Sequence, residues 1–478
     1  MFTESIKNEL RRIVGEANAS FSKEDLLCYS YDATNKVSMP DGVVFASTPE
    51  EISGIMKTAN AAGFGVIPRG AGTGASGGSV PVEGGLVLSL ERMKKIIEID
   101  AENLLAVVEP GVVTWEFQQE VEARGLFYPP DPTSLKFSTI GGNIAECAGG
   151  PRAVKYGVTR DYVMGLEVVL PTGEIINTGV RTVKGVVGYD LTRLIVGSEG
   201  TLGIVTKATL KLLPLPETTK TMLAVFPDVK DAARAVSEII KARIIPSTLE
   251  LMDGVSIKCV EEFAKAGLPA DAGGLLLIEV DGAVETTEKE AVIIEGICKD
   301  SRAISVQAAS EKNEVKNLWK ARRSASAALF RARPHKINED VVVPRSAVVE
   351  LIAGVEEIAE RKNLLIACFG HAGDGNIHVN VMYDRSDPRE AKAAPEAVED
   401  VFRLALGLKG TISGEHGIGT AKAKYLGMEL GPAAIDLMMR IKNVFDPRGV
   451  LNPGKIFLQA DMSPASGARP AQGAPVRH

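Results

Sequence analysis

The stretch Arg69-Gly70-Ala71-Gly72-Thr73-Gly74-Ala75-Ser76-Gly77-Gly78 decides what kind of fold this chain adopts. It contains a G-x-G-x-x-G match at Gly72, Gly74 and Gly77, the pattern of a dinucleotide turn that opens a helix. No helix follows here. Ser79-Val80-Pro81 and Gly84-Gly85 come next, and Leu86–Leu90 then reads as a strand. A doubly wound nucleotide fold is therefore excluded, and the loop is expected to hold an anion with its own N–H groups, as a backbone nest. Upstream, Val43–Ala46 and Phe64–Pro68 read as short strands. Between them Thr48 caps a helix, Pro49 takes its first position and Glu51 closes a capping box. Gly63 ends that helix.

Working outward, Ser138–Gly150 and Ser198–Thr206 are two further stretches rich in glycine and small residues. Three such segments close together point to a large, extended, phosphate-bearing cofactor rather than to a floppy surface. Thr114 is expected to cap a helix running to Arg124, and Tyr128–Ser134 is a rigid proline loop. Pro214 and Pro216 mark a boundary. Beyond them strands at Met222–Phe226, Thr248–Met252, Leu275–Val280 and Ile304–Gln307 alternate with helices, which resembles a ferredoxin-like α/β layer. The final residues, rich in Ala, Pro, Gly and Ser, read as a disordered tail.

At 478 residues the chain is long enough for two or three domains. A net charge of -7 argues against a nucleic-acid partner, which calls for a basic face. The five cysteines are scattered without a C-x-x-C pair, so neither a zinc ribbon nor an iron–sulfur motif is present, and a reducing compartment is implied. No secretory signal and no membrane-length apolar run is visible, so the protein is expected to be cytoplasmic or peripheral to the membrane through a partner.

The chemistry concentrates in Cys368-Phe369-Gly370-His371-Ala372-Gly373-Asp374-Gly375-Asn376-Ile377-His378-Val379-Asn380. Two of the five histidines sit seven apart across a Gly-Asp-Gly-Asn turn. That turn chemistry favours a hairpin tip between β-prone flanks. Paired strands would set His371 and His378 face to face, with Cβ atoms roughly 5 Å apart. This arrangement suits two ligands of one metal ion, and equally a polar hairpin end with two surface histidines. Two ligands do not make a site, so a third must come from elsewhere.

Pro68–Gly78, Thr139–Gly150, Ser198–Thr206, His371–His378, Ser413-Gly414-Glu415-His416-Gly417-Ile418-Gly419 and Asn452-Pro453-Gly454-Lys455 occur in that order. Together they resemble the FAD-linked oxidases of the vanillyl-alcohol oxidase and para-cresol methylhydroxylase superfamily, in the branch of the D-lactate dehydrogenases and the glycolate oxidase flavoprotein subunit. The resemblance spans roughly residues 40 to 457. It implies an α+β protein: a two-part FAD-binding domain of the para-cresol methylhydroxylase type plus a ferredoxin-like α/β substrate (cap) domain. The corresponding segments are 1–40 (N-terminal helical), 41–215 (FAD-binding), 216–410 (cap), 411–458 (returning to the flavin) and 459–478 (disordered).

The same resemblance implies which residues bind FAD. They are Arg69, Gly70, Ala71, Gly72, Thr73 and Gly74 around the pyrophosphate, then Pro132, Ser138, Thr139, Gly141, Gly142, Asn143, Gly149 and Gly157, and finally Gly200, Gly203, Ile204, Val205 and Asn452. Some relatives tether FAD to a histidine where this chain has Thr73, which cannot form that bond, so non-covalent FAD is expected. In the metal-dependent branch the residues matching His371, His378 and Glu415 hold a divalent ion and the one matching His416 is the base. A His2Glu set leaves an open position for substrate and suits zinc, manganese or iron. Arg322, in Trp319-Lys320-Ala321-Arg322-Arg323, is the expected partner of the substrate carboxylate, with Arg323 the competing choice. Lys336 is displaced from the lysine of some relatives, which matches Asn338, so lactate or glycolate is favoured over hydroxyglutarate. His335 reads as a surface loop residue.

The activity implied is oxidation of a small D-2-hydroxy acid to the 2-oxo acid, with hydride passing to flavin. The electron acceptor is external: an iron–sulfur subunit, an electron-transferring flavoprotein or quinone. A homodimer is compatible with this reading. The competing readings are a non-catalytic flavoprotein subunit of a redox complex and a flavoenzyme acting on another alcohol.

Overall fold

The computed structural model describes residues 2–309 and 311–458. The expected disordered tail, 459–478, lies outside the described residues.

Two larger sheets, with a two-stranded pairing of Leu126–Phe127 and Leu213–Pro214, build the N-terminal half. In the first, Ala19–Ser20, Gly42–Phe45, Leu86–Ser89 and Val66–Arg69 lie side by side, the last three mutually parallel. The helix Pro49–Ala62 crosses it, with Thr48 and Gly63 at its ends as read from the sequence, while Glu51 reaches one residue past the N-cap instead of closing the expected capping box. Glu51 N–H donates to the Thr48 hydroxyl, Ser47 N–H donates to the Glu51 carboxylate, and Gly63 closes the helix in the left-handed region. Ile52, Ile55, Met56 and Ala59 bury against Val44, Val66, Leu86 and Leu88. Each of the larger side chains stabilises the fold by about 1.5–3 kcal/mol. Leu10 and Val14, from the helix Glu4–Val14, enter the same core, so the N-terminal segment is part of this layer. The second sheet is antiparallel, with strands Ile96–Asp100, Leu105–Val108, Ile204–Lys211, Val163–Val169 and Ile175–Gly179 in that order. The Gly70–Gly85 loop contains neither helix nor strand, which is the property that excluded a dinucleotide turn.

Two local expectations need correction. Thr114 is not a cap: Val113 holds that position, and the buried Thr114 hydroxyl donates to Ser138 O and accepts from Asn143 Nδ2. The segment Ile140–Glu146 is a short helix capped by Thr139, not a loop. Its glycines serve close packing, since a Cβ on Gly141 would stand 2.6 Å from Pro110.

The C-terminal half is one seven-stranded antiparallel sheet, ordered Ser305–Ala308, Thr218–Phe226, Gly274–Gly282, Thr248–Asp253, Leu365–His371, Asn376–Tyr383 and His335–Val342. The first four strands in chain order adopt the spatial order fourth, first, third, second. That is the ferredoxin-like arrangement, with an extra helix, Gly254–Ala264, inserted. The last three strands repeat it in mirror order around the Thr248–Asp253 and Leu365–His371 pairing. A fourth strand would belong beside His335–Val342, and there, among the described residues, a single antiparallel bridge forms, Val342 with Thr411. Four helices cover one face, packing Val236, Ile294, Leu351 and Val401 into the largest core. Two further helices, Gly254–Ala264 and Lys312–Ala328, cover part of the other face. The uncovered remainder of that face carries Phe369, His371 and His378 towards the N-terminal half. Past Phe445 the chain returns to the first sheet, where Val66 N–H donates to Val450 O and Asn452 N–H donates to Val66 O.

Candidate active site

A cavity of about 1220 Å³ separates the halves. It is larger than the roughly 300–1,000 Å³ of ordinary small-ligand pockets, as an extended cofactor requires. One wall is the glycine-rich platform. Arg69 to Gly74, Pro132, Ser138, Thr139, Gly141, Gly142, Asn143, Gly200, Gly203, Ile204 and Val205 all lie on it. Gly149, Gly157 and Asn452, which sequence comparison grouped with them, do not. Gly149 lies beneath Glu415, where a Cβ would meet its carboxylate at 3.2 Å. Gly157 packs on Asp161. Asn452 acts from behind, its Nδ2 donating to Gly78 O (3.0 Å) and Glu199 O (2.9 Å), which ties two of the loops together. Even on the wall, some glycines answer to neighbouring protein. Gly72 has φ +68 and abuts the Arg69 guanidinium, while Gly70 abuts Thr139 Oγ1, so the loop is shaped by packing before any ligand arrives.

The opposite wall carries the histidines. The hairpin forms as read, but its register differs from expectation: His371 pairs with Asn376 and His378 with Phe369. Asp374 N–H donates to His371 O and Gly375 N–H donates to Ala372 O, closing the turn after four residues instead of six. The imidazoles are therefore diagonal neighbours on one face, with ring centroids 5.3 Å apart at an 83° angle. Glu415 joins them from the segment that follows the Thr411 bridge. Its Oε1 is 3.5 Å from His371 Nε2 and 3.5 Å from His378 Nε2, and one ligand atom from each residue lies within 4.8 Å of the others. His371 Nε2 is buried without a hydrogen-bond partner. A buried polar atom so left calls for a missing partner. Two imidazole nitrogens and a carboxylate oxygen converging on one point fit a divalent ion. Burial would raise the Glu415 carboxyl, but His371 and its neighbours hold it down at about 2, so it is an anion. Burial drives the His378 imidazole down to about 3, which leaves it neutral.

Glu415 and His416 are held by Asp340, which sequence reasoning did not single out. The N–H groups of Gly414 (2.8 Å), Glu415 (2.7 Å) and His416 (3.0 Å) all donate to Asp340 Oδ2. Ser413 Oγ and the buried Lys422 ammonium donate to Oδ1, and His416 Nδ1 lies 3.3 Å from it. Burial opposes ionisation of Asp340, yet His416, Lys422 and the turn's N–H groups hold its carboxyl far below the usual range. His416 stacks on His378 at 5.3 Å and 18° and reaches the cavity. From the platform, Glu199 accepts the N–H groups of Ile418 (2.8 Å) and Gly419 (2.6 Å). The turn is thus fixed from both halves.

Arg322 lies on the cavity wall, 4.8 Å over the Phe369 ring. Its Nη2 is 2.5 Å from Glu250 Oε2, a contact not aligned as a hydrogen bond, and its Nε and Nη2 have no hydrogen-bond partner. Both atoms are buried, and Nη2 is taken by Glu250. Glu250, also missed from sequence, presents its other oxygen to His371 Nδ1 at 2.5 Å. Burial would raise Glu250, and Arg322 and His371 bring it down to about 2. The only sequence signal for it was a carboxylate within the apolar run Thr248–Met252. Arg323 also lines the cavity, as does Lys336, which donates to Ser326 O (2.9 Å) and Ser326 Oγ (2.5 Å). Burial lowers the Lys336 ammonium to about 8. His335 is not a loop residue: it starts the edge strand, opposite Tyr383, and accepts the Arg385 N–H at Nδ1.

Residues 215–456 match the model of the FAD linked oxidases, C-terminal domain, and residues 40–179 match the FAD binding domain. The chain is 50% identical over 458 residues to the glycolate oxidase subunit GlcD of Bacillus subtilis, covering 96% of this chain and 97% of that protein. It is 37% identical over 457 residues to the D-lactate dehydrogenase of Anaerostipes hadrus, covering 93% and 94%. Among solved structures, p-cresol methylhydroxylase with substrate bound superposes with a TM-score of 0.78 at 19% identity, covering 96% of this chain and 97% of that one. This last likeness establishes the fold.

Proposed function

The chain belongs to the FAD-linked oxidases, and from that premise we propose that it oxidises a small D-2-hydroxy acid, D-lactate or glycolate, to the 2-oxo acid. The observation that carries this reading is the convergence of His371, His378 and Glu415, with His378, Glu415, His416 and Arg322 lining the cavity opposite the glycine-rich platform. When bound, FAD supplies the hydride acceptor, and a divalent ion on His371, His378 and Glu415 supplies Lewis acidity at the substrate hydroxyl.

The chain's own residues do the rest. Arg322 takes the substrate carboxylate, with Arg323 and Lys336 adding positive charge to the same wall. Arg322 and His371 both contact the Glu250 carboxylate, which sets the carboxylate anchor beside the hydroxyl anchor, as a 2-hydroxy acid requires. His416 accepts the hydroxyl proton at Nε2, because its Nδ1 faces Asp340. Its stacking on His378 keeps it beside the hydroxyl. Among the described residues no helix is long and apolar enough to cross a membrane. Relatives named as subunits of glycolate oxidase support an external electron acceptor reached through a partner.

The test is dye reduction by the purified yellow protein with D-lactate and with glycolate, before and after EDTA. Turnover that is lost on chelation and returns with zinc, manganese or iron is expected. Full activity after chelation, or in Glu415→Gln, refutes the metal assignment.

A further inference from the structure

We propose that Glu250 is a positioning residue that ties the metal centre to the substrate arginine through a single buried carboxylate. The inference rests on the reading above, in which His371 is a ligand and Arg322 holds the substrate.

Glu250 lies on the strand Thr248–Asp253 and is 1% exposed. That strand pairs with Leu365–His371 through Leu251 with Gly370 and Met252 with Phe369, so one step further along the same register Glu250 stands opposite His371. Its Oε1 meets His371 Nδ1 at 2.5 Å and its Oε2 meets Arg322 Nη2 at 2.5 Å. Neither side-chain oxygen reaches solvent. Both partners belong to elements far apart in sequence, one on the hairpin and one on the helix Lys312–Ala328.

An imidazole that offers Nε2 to a cation must carry its proton on Nδ1, and only an acceptor at Nδ1 enforces that tautomer. Glu250 Oε1 is that acceptor. The second oxygen holds the guanidinium by its Nη2 at the cavity wall. One rigid carboxylate therefore sets the spacing between the point that takes a hydroxyl and the point that takes a carboxylate. A 2-hydroxy acid, with those groups on neighbouring carbons, matches two anchors locked to a shared group. An acid with its hydroxyl further along the chain would need them apart.

Glu250→Gln separates this role from simple packing. The amide has one oxygen and one NH2, while His371 Nδ1–H and Arg322 are both donors, so one contact is lost whichever way it turns. Flavin-loaded, metal-stripped protein is titrated with Zn2+ by calorimetry, and KM for D-lactate is measured at saturating metal. We expect Zn2+ affinity to fall by about 10–100-fold and KM to rise on the order of tenfold, with flavin content unchanged. Glu250→Asp keeps the charge but is too short to reach both partners, and it serves if the amide variant does not fold. Wild-type Zn2+ affinity together with wild-type KM in either variant overturns the inference alone. A wild-type protein that binds no divalent ion overturns the functional reading, and this inference with it.

Discussion

Replacing Asp340 by Asn tests the joint that holds the proposed base. Asp340 and Lys422 are 0% and 2% exposed, and their ion pair is capped by three consecutive backbone N–H groups. Removing one partner of a buried pair typically costs about 3–5 kcal/mol, because the other charge is left uncompensated. Lys422 keeps two weaker contacts, Ile412 O at 2.8 Å and the Glu339 carboxylate at 3.5 Å, so the low end, about 3 kcal/mol, is the figure to expect here. For a unit the size of the C-terminal half this lowers Tm by about 6–12 °C. Lys422→Met in the Asp340→Asn background removes the stranded cation, so the double variant should lose less than the two single losses added together. Thermal unfolding followed by circular dichroism on all four members of the cycle measures the coupling. Activity should fall too, by about 10²-fold in kcat, because an amide can turn its NH2 to His416 and stabilise the wrong tautomer. A Tm change under about 2 °C, or additivity within about 0.5 kcal/mol, would refute the claim that Asp340 is held by charge.

Three other outcomes follow from the same geometry. Thr73 cannot bond covalently to flavin, so acid or guanidinium denaturation should release all FAD into the supernatant; colour retained on the precipitated protein refutes this. Lys336 is held at about 8 by burial, below the ~10.4 of a free lysine, and pairs with no carboxylate among the described residues. A lysine so depressed binds fewer protons folded than unfolded between those values, so its penalty is complete below about pH 8 and fades as pH rises. Lys336→Met should therefore raise Tm at pH 7, with the gain shrinking towards pH 10.5, while KM for D-lactate increases. Gly417 has φ +83, and a Cβ there would meet the Glu146 and Glu199 carboxylates at 2.5 and 3.0 Å. Gly417→Ala should displace the turn and lower kcat without loss of bound flavin; unchanged kcat would mean that the turn tolerates the shift.

Local rules carried the sequence reading as far as local rules reach. The helix Pro49–Ala62 was legible because its caps lie within the helix's own first and last turns. The failed nucleotide motif was legible because Pro81 and the paired Gly84-Gly85 forbid a helix. The hairpin at His371 was legible from its turn residues, but its register was not, since two extra residues in the loop keep the same faces and only the hydrogen-bonded turn chooses between them. Glu250, Asp340, Glu199 and Lys422 were beyond reach for a different reason. Each is a charged residue in an otherwise ordinary strand or loop, and its meaning comes from partners 72 to 220 residues away. The resemblance to a known family supplied Glu415 and His416, and the fold supplied what holds them.

The unfinished edge of the large sheet has a consequence for building hybrids. Where a fourth strand would complete the second ferredoxin-like set, Thr411 makes one bridge and the chain leaves to present Glu415 and His416. Glu199, contributed by the other half of the molecule, then grips the same turn at Ile418 and Gly419. A chimera that joins the flavin platform of one relative to the large sheet of another must therefore inherit Glu199 and the Gly417–Gly419 turn as a matched set, even though they lie on opposite sides of any sensible crossover point. Ignoring that match should give a protein that folds, turns yellow and does no chemistry.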